Sequence, residues 1–304
     1  MHAPPPDGPA QRAGRIWLIA GTGEGPPLAG LLLERGWRLR VSVVTAAAGL
    51  RYPEDPRLEV MVGPLAGAEA WRGALEEARG EGDPFLWIID ASHPFAIRVS
   101  AAAAAACAGR AERLLRLHRP LLAAPGATPL AHLQQMGHHL ANGERLLLAI
   151  GARQLGAAIG HSPRACHHSR VLPHPEAIRQ ALRAGLPDHR LACCHPSRDG
   201  AVERALCVRW GIETVLCRQS GSRAEAVWLR ISADLGLRLL LLRRPPEPAG
   251  VAQLPLPELI ARVGWPGPMD NGANAGAEGG ESANGGQSTE GGRSSGGGGS
   301  SAAG

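Results

Sequence analysis

The chain has 304 residues and a formal net charge of +5, and all 32 of its basic residues are arginine. Ten aromatic residues without a basic stripe between them argue against a nucleic-acid partner. No apolar run is long enough to span a bilayer, and the first fourteen residues lack the apolar core of a signal peptide. We therefore expect a cytoplasmic protein with reduced cysteines and no membrane partner. Its many arginines suit a small-molecule ligand with several carboxylates.

Alternating strand and helix patterns predict parallel α/β structure over most of the chain. The first domain is expected to contain strands at 15–20, 38–45, 58–63, 85–90 and 114–117, with helices at 26–35, 67–79 and 94–108. The second is expected to contain strands at 146–150, 169–172, 190–194, 214–217 and 237–242, with helices near 152–159, 175–184, 199–210 and 222–235.

Two Rossmann-like parallel-sheet domains with the active-site cleft between them are therefore predicted. Their boundaries are 15–120 for the N-terminal nucleotide-binding domain, 121–144 for a connection with a weak helix, and 145–265 for the C-terminal domain. Residues 1–14 are rich in Pro and Ala and residues 266–304 in Gly and Ser, so both tails are predicted to be disordered.

A glycine-rich turn follows the first predicted strand. Its candidate cofactor-binding residues are Gly21, Thr22, Gly23, Glu24 and Gly25. Glycines let a backbone approach a phosphate closely, and the N-terminus of the next helix offers N–H groups to an anion. The spacing differs from the dinucleotide fingerprint G-x-G-x-x-G, and the next residue is proline, so an ordinary strand-to-helix loop is the alternative.

The second strand ends without the carboxylate that would hold a free ribose 2′-hydroxyl. Thr45 and Arg51 stand there instead, and a hydroxyl with a guanidinium favours a 2′-phosphate, hence NADPH with NADH as the other possibility. Ser220 and Gly221 precede a later helix and form a second candidate cofactor contact. Arg218 beside them could bind a cofactor phosphate or a substrate carboxylate, with a solvated loop as the alternative.

A polar turn after the fourth strand supplies the candidate catalytic residues His93 and Ser92. His93 could equally hold its own turn through backbone hydrogen bonds, and Ser92 could cap the following helix. Asp90 is expected to brace a neighbouring loop. Because His93 and Arg218 each follow a strand, we expect them on opposite halves of one site.

A cluster of histidines and one cysteine is assigned no metal. Its members are His161, Cys166, His167, His168 and His174. Neighbouring residues on a strand point to opposite faces, and no zinc-type spacing recurs, so a variable surface loop is the favoured interpretation.

These turns together resemble the precorrin-6A reductase family. The resemblance rests on the glycine turn, on Asp90-Ala91-Ser92-His93-Pro94-Phe95-Ala96, and on Leu115-Arg116-Leu117-His118-Arg119-Pro120. It continues more loosely through Ser169-Arg170-Val171-Leu172-Pro173, His195-Pro196-Ser197 and Arg218-Gln219-Ser220-Gly221, with arginine at 218 where lysine is usual. Residues 15–245 are covered.

The resemblance implies reduction of a ring double bond of precorrin-6A or cobalt-precorrin-6A by a nicotinamide, in a monomer or weak dimer. The corrin precursor carries several carboxylates, and the family's motifs imply substrate-binding roles for Arg119, Arg170, Ser197 and Arg218. The divergent second half leaves a non-catalytic nucleotide-binding regulatory or scaffold protein as the alternative. A short-chain-type dehydrogenase is excluded, because the chain has one tyrosine and no lysine.

Overall fold

A computed structural model of the chain describes residues 14–21, 23–63 and 67–266. The predicted tails, apart from Gly14 and Pro266, and the predicted contact at Thr22 lie outside these ranges. Within them, no helix combines the length and the apolar character needed to cross a membrane.

Parallel strands alternate with helices along the first half. The strands are β1 (Arg15–Ala20), β2 (Arg38–Val43), β3 (Leu58–Val62), β4 (Phe85–Ala91) and β5 (Arg113–Leu117). The helices are α1 (Gly25–Glu34), α2 (Ala46–Gly49), α3 (Gly67–Gly80) and α4 (Ile97–Cys107).

The second half repeats the pattern. Its strands are β6 (Thr128–Leu130), β7 (Arg145–Ala149), β8 (Cys166–Val171), β9 (Leu191–Cys193), β10 (Thr214–Arg218), β11 (Arg238–Leu242) and β12 (Ala252–Leu254). Its helices are α5 (Leu155–His161), α6 (Pro175–Arg183), α7 (Ala201–Trp210), α8 (Arg223–Leu235) and α9 (Leu256–Val263), with 3₁₀ turns at Leu133–His139, Ala152–Gln154 and Asp188–Arg190.

In the described residues these strands form two six-stranded sheets, ordered β3-β2-β1-β4-β5-β12 and β9-β8-β7-β10-β11-β6. Every pairing is parallel. Each order is the doubly wound order 3-2-1-4-5-6, with the sixth place taken by a strand from elsewhere in the chain. The predicted fold class, α/β with two Rossmann-like parallel sheets, is therefore confirmed.

The predicted domain boundaries need correction at two short strands, β12 and β6, each of which joins a sheet to which the prediction did not assign it. β12 pairs with β5 and α9 packs on the first sheet, although 145–265 was assigned to the second domain. β6 pairs with β11, although it lies in the predicted connection. Both strands have only three residues, which is too short to show a period, and Pro129 suits the edge position that β6 occupies. The division into two folding domains itself stays a prediction.

Each sheet is buried on both faces, which is why its central strands read as continuous apolar runs. On β1, Ile16 and Leu18 pack on one face while Trp17 and Ile19 pack on the other. On β7, Leu146 and Leu148 likewise face away from Leu147. In the described part of the chain, helices therefore cover both faces, which directs the search for a ligand site to the strand ends.

Candidate active site

Four turns lie at the points where the strand order reverses in the two sheets. In the first sheet, β1 and β4 are neighbours, and the turns after them carry Gly21 and His93. In the second sheet, β7 and β10 are neighbours, and Gly151 and Arg218 stand at their ends. Crevices at such reversals are where doubly wound sheets bind ligands. All four turns therefore belong to the expected ligand-binding edges.

The glycine turn leaves open space above its first two glycines. Among the described residues, a Cβ on Gly21 or Gly23 would meet no atom within 4 Å. Gly25 differs, since its Cβ would clash with the Tyr52 hydroxyl and lie 2.6 Å from the Cβ of Ala20. Packing therefore requires Gly25, whereas the first two glycines keep a surface free for a ligand.

Helix α1 begins with fewer donors than a usual phosphate-binding helix. Its second and third residues are Pro26 and Pro27, which have no N–H, and the N–H of Leu28 donates to the carbonyl of Glu24. Among the described residues of this turn, the backbone N–H groups that remain for an anion are those of Gly23, Glu24 and Gly25.

Arg119 is a structural brace, which corrects its predicted substrate role. The side chain is 8% exposed, and it donates to the carbonyl oxygens of Ser92 and Ala91 at 2.7 and 2.9 Å. It also forms an ion pair with Glu24. Because these partners take its Nε and both of its terminal nitrogens, Arg119 ties the glycine turn to the β4 turn and has little capacity for a substrate carboxylate.

Thr45 and Arg51 flank α2 at the end of β2. The Thr45 hydroxyl oxygen caps α2 by accepting the N–H of Ala48 at 3.2 Å, so its proton remains available to a ligand. Arg51 is exposed. Val44 and Leu50 beside them are 63% and 88% exposed, which places apolar surface next to the two polar groups.

Ser92 is buried beneath its turn, which corrects both of its predicted roles. It is 7% exposed, its N–H donates to Asp90 at 2.9 Å, and its hydroxyl lies 3.3 Å from that of Ser100. Helix α4 begins only at Ile97, so Ser92 does not cap it. Asp90 also pairs with the buried Arg116, as its predicted bracing role requires.

His93 holds its own turn and still faces the cleft. Its Nδ1 accepts the N–H of Phe95 at 3.2 Å, which leaves the proton of the neutral ring on Nε2. The residue is exposed on one side. Burial of the rest of the ring, and then the positive charges led by Arg218, lower the pKa of His93 to about 4. At neutral pH, His93 is therefore a neutral hydrogen-bond donor.

Arg218 reaches this turn from the second half. Its guanidinium carbon lies 5.2 Å from the centre of the Phe95 ring, and the His93 ring centre lies 5.6 Å from the same point. Among the described residues, its hydrogen-bond partner is the neutral Gln154 oxygen at 2.9 and 3.1 Å, and no carboxylate pairs with it. Burial, followed by the charge of Arg153, lowers the pKa of Arg218 to about 10.

Ser220 and Gly221 do not offer their N–H groups to a cofactor, which corrects that prediction. Both groups donate to Glu225 at 2.6 Å, and this carboxylate is 1% exposed. Gly221 has φ +67°, and a Cβ there would clash with the Pro120 carbonyl and lie 2.9 Å from the Cβ of Arg119. The glycine thus allows the two halves to approach each other closely.

A similar carboxylate occupies the turn before α7. Glu203 accepts the Ser197 N–H at 3.2 Å and also its hydroxyl, so the predicted substrate role of Ser197 is replaced by a structural one. Arg170 lies 3.9 Å from the same carboxylate, and its buried Nε has no hydrogen-bond partner among the described residues. Arg170 therefore remains a candidate ligand for an anion.

The histidine cluster divides between two faces of a strand. His167 and His168 lie in β8, where His167 contacts the Ser162 hydroxyl at 2.9 Å and His168 stacks on Trp210 at 5.1 Å. The variable surface loop expected here is wrong for these two residues, because β8 begins at Cys166. His174 accepts a backbone N–H at the start of α6.

Sequence reasoning missed Phe95, Gln154 and Arg244. Arg244 donates to the carbonyls of Arg119 and Pro120 at 2.8 and 3.4 Å. Long-range contacts of this kind leave no periodic signal in a sequence. Phe95 is the exception, since it lies within the most specific motif of the chain.

The fold and the site together define an α/β protein with two doubly wound sheets and ligand-binding turns from both. The family model for precorrin-6x reductase CbiJ/CobK matches residues 15–262, and the chain belongs to this family. A cobalt-precorrin-6A reductase of Synechocystis sp. is 30% identical over 236 residues, 76% of this chain and 88% of that protein. A precorrin-6A reductase of Mycobacterium tuberculosis is 28% identical over 246 residues, 78% of this chain and 92% of that protein.

A solved structure supports the same assignment. The structure of a CobK precorrin-6A reductase has a TM-score of 0.68 and 26% identity, and the match covers 84% of this chain and 100% of that one. The resemblance carried by the sequence motifs is confirmed. The chain is therefore an enzyme of the precorrin-6A reductase type, an oxidoreductase of cobalamin biosynthesis that acts on a ring double bond.

Proposed function

We propose that this protein reduces a ring double bond of precorrin-6A or its cobalt complex, with NADPH bound by the first half and substrate carboxylates bound by the second. The observation that carries this division is the partly buried guanidinium of Arg218, which has no carboxylate partner among the described residues and lies against the same Phe95 ring as His93. A cation left unpaired in a partly desolvated cleft is a binding site for an anion.

The first half fits the cofactor. The open surface over Gly21 and Gly23 suits a diphosphate, with donors from the backbone as far as Gly25. The Thr45 hydroxyl and the Arg51 guanidinium suit the 2′-phosphate, which supports NADPH over NADH. Bound here, NADPH supplies the hydride, and the protein supplies distance, face and charge.

The second half fits the acidic substrate. Arg218 and Arg153 repel each other in the free protein, and a carboxylate between them would relieve that repulsion. Arg170 is a further candidate contact for a macrocycle that carries several carboxylates, since its Nε has no hydrogen-bond partner in the described ranges and the Glu203 carboxylate is 3.9 Å away. Arg244, from the second half, donates a hydrogen bond to the Arg119 carbonyl of the first half.

His93 is proposed to touch the substrate as a neutral donor through Nε2–H. Because its pKa is about 4, its proton is not that of an imidazolium at neutral pH. A carboxylate bound to Arg218 would offset the positive charges that lower this pKa. His93 is therefore suited to orienting the ring edge that receives hydride and proton, and less suited to acting as a strong acid.

Anaerobic incubation with NADPH and either precursor tests the proposal. We expect nicotinamide oxidation coupled to a change in the corrin spectrum, with tighter binding of NADPH than of NADH. If neither precursor supports oxidation while NADPH still binds, the non-catalytic nucleotide-binding alternative is favoured instead.

A further inference from the structure

Phe95 belongs to the first half in sequence but packs on the core of the second. It lies in the turn after β4, two residues after His93. Its side chain is partly buried against the apolar cluster beneath the second sheet, the same cluster on which Leu133 packs. A ring anchored in this way fixes the position of the β4 turn relative to the second sheet.

The same ring contacts the two polar groups proposed for the site. The His93 imidazole is tilted at 49° to it with ring centres 5.6 Å apart, and the Arg218 guanidinium carbon lies 5.2 Å from the ring centre. Gln154 holds another edge of the guanidinium with two hydrogen bonds. The orientation of Arg218 is thus set by one aromatic face and one amide.

An aromatic face attracts a cation because its quadrupole places negative charge there. This attraction increases when the cation has lost water, as the buried part of Arg218 has. A leucine at the same position would keep the apolar contact with the second core and lose the attraction. Chemistry as well as volume therefore matters at this position.

We propose that Phe95 is a positioning residue that holds His93 and Arg218 toward one anionic ligand across the cleft. The inference rests on the proposed function for the nature of that ligand, a corrin precursor bearing carboxylates. It adds the residue that couples the two halves of the site. Substrate affinity should therefore depend on the aromatic ring, while cofactor affinity should not.

The test compares Phe95→Leu and Phe95→Met with Phe95→Tyr, which retains the ring. Leu133→Ala is the matched control, because it removes packing from the same core without touching the site. For each variant we would measure KM and kcat with the precursor, the Kd of NADPH and the melting temperature. Phe95→Leu and Phe95→Met should raise KM about 5- to 30-fold, the value of a desolvated cation–π contact, and should lower kcat by less than the loss of His93 itself does.

Phe95→Tyr should restore KM, and Leu133→Ala should lower the melting temperature without changing KM. A KM for both aliphatic variants within twofold of the original, or an equal rise in Leu133→Ala, would show that Phe95 serves only packing. In that case the aliphatic variants of Phe95 would lose activity only in proportion to the fraction of protein that is unfolded.

A second readout does not depend on activity. The pKa of His93, followed by NMR, responds to loss of water and to the charges of Arg218, Arg119, Arg116 and Arg244. Phe95→Leu should raise this pKa from about 4 toward its usual value, and Phe95→Tyr should not. If the original protein reduces neither precursor, the proposed function fails while this titration still decides the role of Phe95. An unchanged pKa in Phe95→Leu would overturn the inference.

Discussion

Replacing Arg218 by methionine should stabilise the protein while weakening its binding of substrate. Burial lowers the pKa of Arg218 from its usual value to about 10, which corresponds to about 3 kcal/mol, since one pKa unit is about 1.4 kcal/mol. Water still reaches part of the side chain and screens its charge, so we take the cost of the charged Arg218 in the folded protein as about 2 kcal/mol. The hydrogen bonds to Gln154 offset about 1 kcal/mol of this.

The net expectation for Arg218→Met is therefore a gain of about 1 kcal/mol in unfolding free energy. For a protein of this size, that gain raises the melting temperature by about 2–4 °C. Because the folded-state pKa lies below the unfolded one, the cost of the charge is fully present at neutral pH. It begins to fall as pH rises through about 10 and is lost only above the higher pKa of the unfolded state, so the gain should shrink progressively above about pH 10.

Binding should change in the opposite direction. Loss of a charge-assisted contact to a carboxylate costs about 1.5–3 kcal/mol, which is about a 10- to 150-fold rise in the Kd of the corrin precursor. Spectroscopic titration and thermal unfolding of the same preparation measure both quantities. Arg243→Met is the matched control, since Arg243 is exposed on the neighbouring strand end and should change neither. A lower melting temperature together with an unchanged Kd would refute the assignment of an anion to Arg218.

Three further outcomes are expected. Arg51→Ala should weaken NADPH binding about tenfold and leave NADH binding unchanged, because only the 2′-phosphate is lost as a partner; equal effects on both cofactors, measured by fluorescence titration, would contradict this. His93→Ala should lower kcat about tenfold, the value of one lost hydrogen bond, with His93→Gln retaining more activity. The pH–rate profile between pH 5 and 8 should lack a His93 ionisation, because its pKa is about 4. Glu225→Gln should lower the unfolding free energy by about 1–2 kcal/mol without changing NADPH affinity; a changed affinity would mean that the turn at Ser220 binds cofactor after all.

The predictable elements are those whose own residues form a recognisable pattern, without reference to distant parts of the chain. The apolar run of β1 followed by glycines, and that of β4 ending at Asp90, have few other physical interpretations. Their ends were correctly placed at one edge, because parallel strands joined by helices share that edge. The strands at Thr128–Leu130 and Ala252–Leu254 gave no such signal, since their pairing depends on distant partners.

The predicted anion contacts at Ser197, Ser220 and Gly221 failed for a different reason. A turn before a helix offers free N–H groups only when no nearby carboxylate takes them. Glu225 and Glu203 take them in the turns before α8 and α7, and each lies in the first turn of the helix itself. Acidic residues at such positions are common because they oppose the helix dipole. Glu225, five residues after Ser220, was therefore a signal that could have been read.

The distribution of paired and unpaired arginines supports the proposal that the two halves take different ligands. Arg116 and Arg119, from the first half, are neutralised by carboxylates on their own side. Arg218 and Arg244, from the second half, donate to neutral oxygens in the described part of the chain. The charges of all four lower the pKa of His93, but Arg116 and Arg119 are already paired with carboxylates, whereas Arg218 and Arg244 have no carboxylate partner among the described residues. In the proposed function, a polyanionic macrocycle is therefore drawn to the second half, which leaves the open glycine turn of the first half to the cofactor.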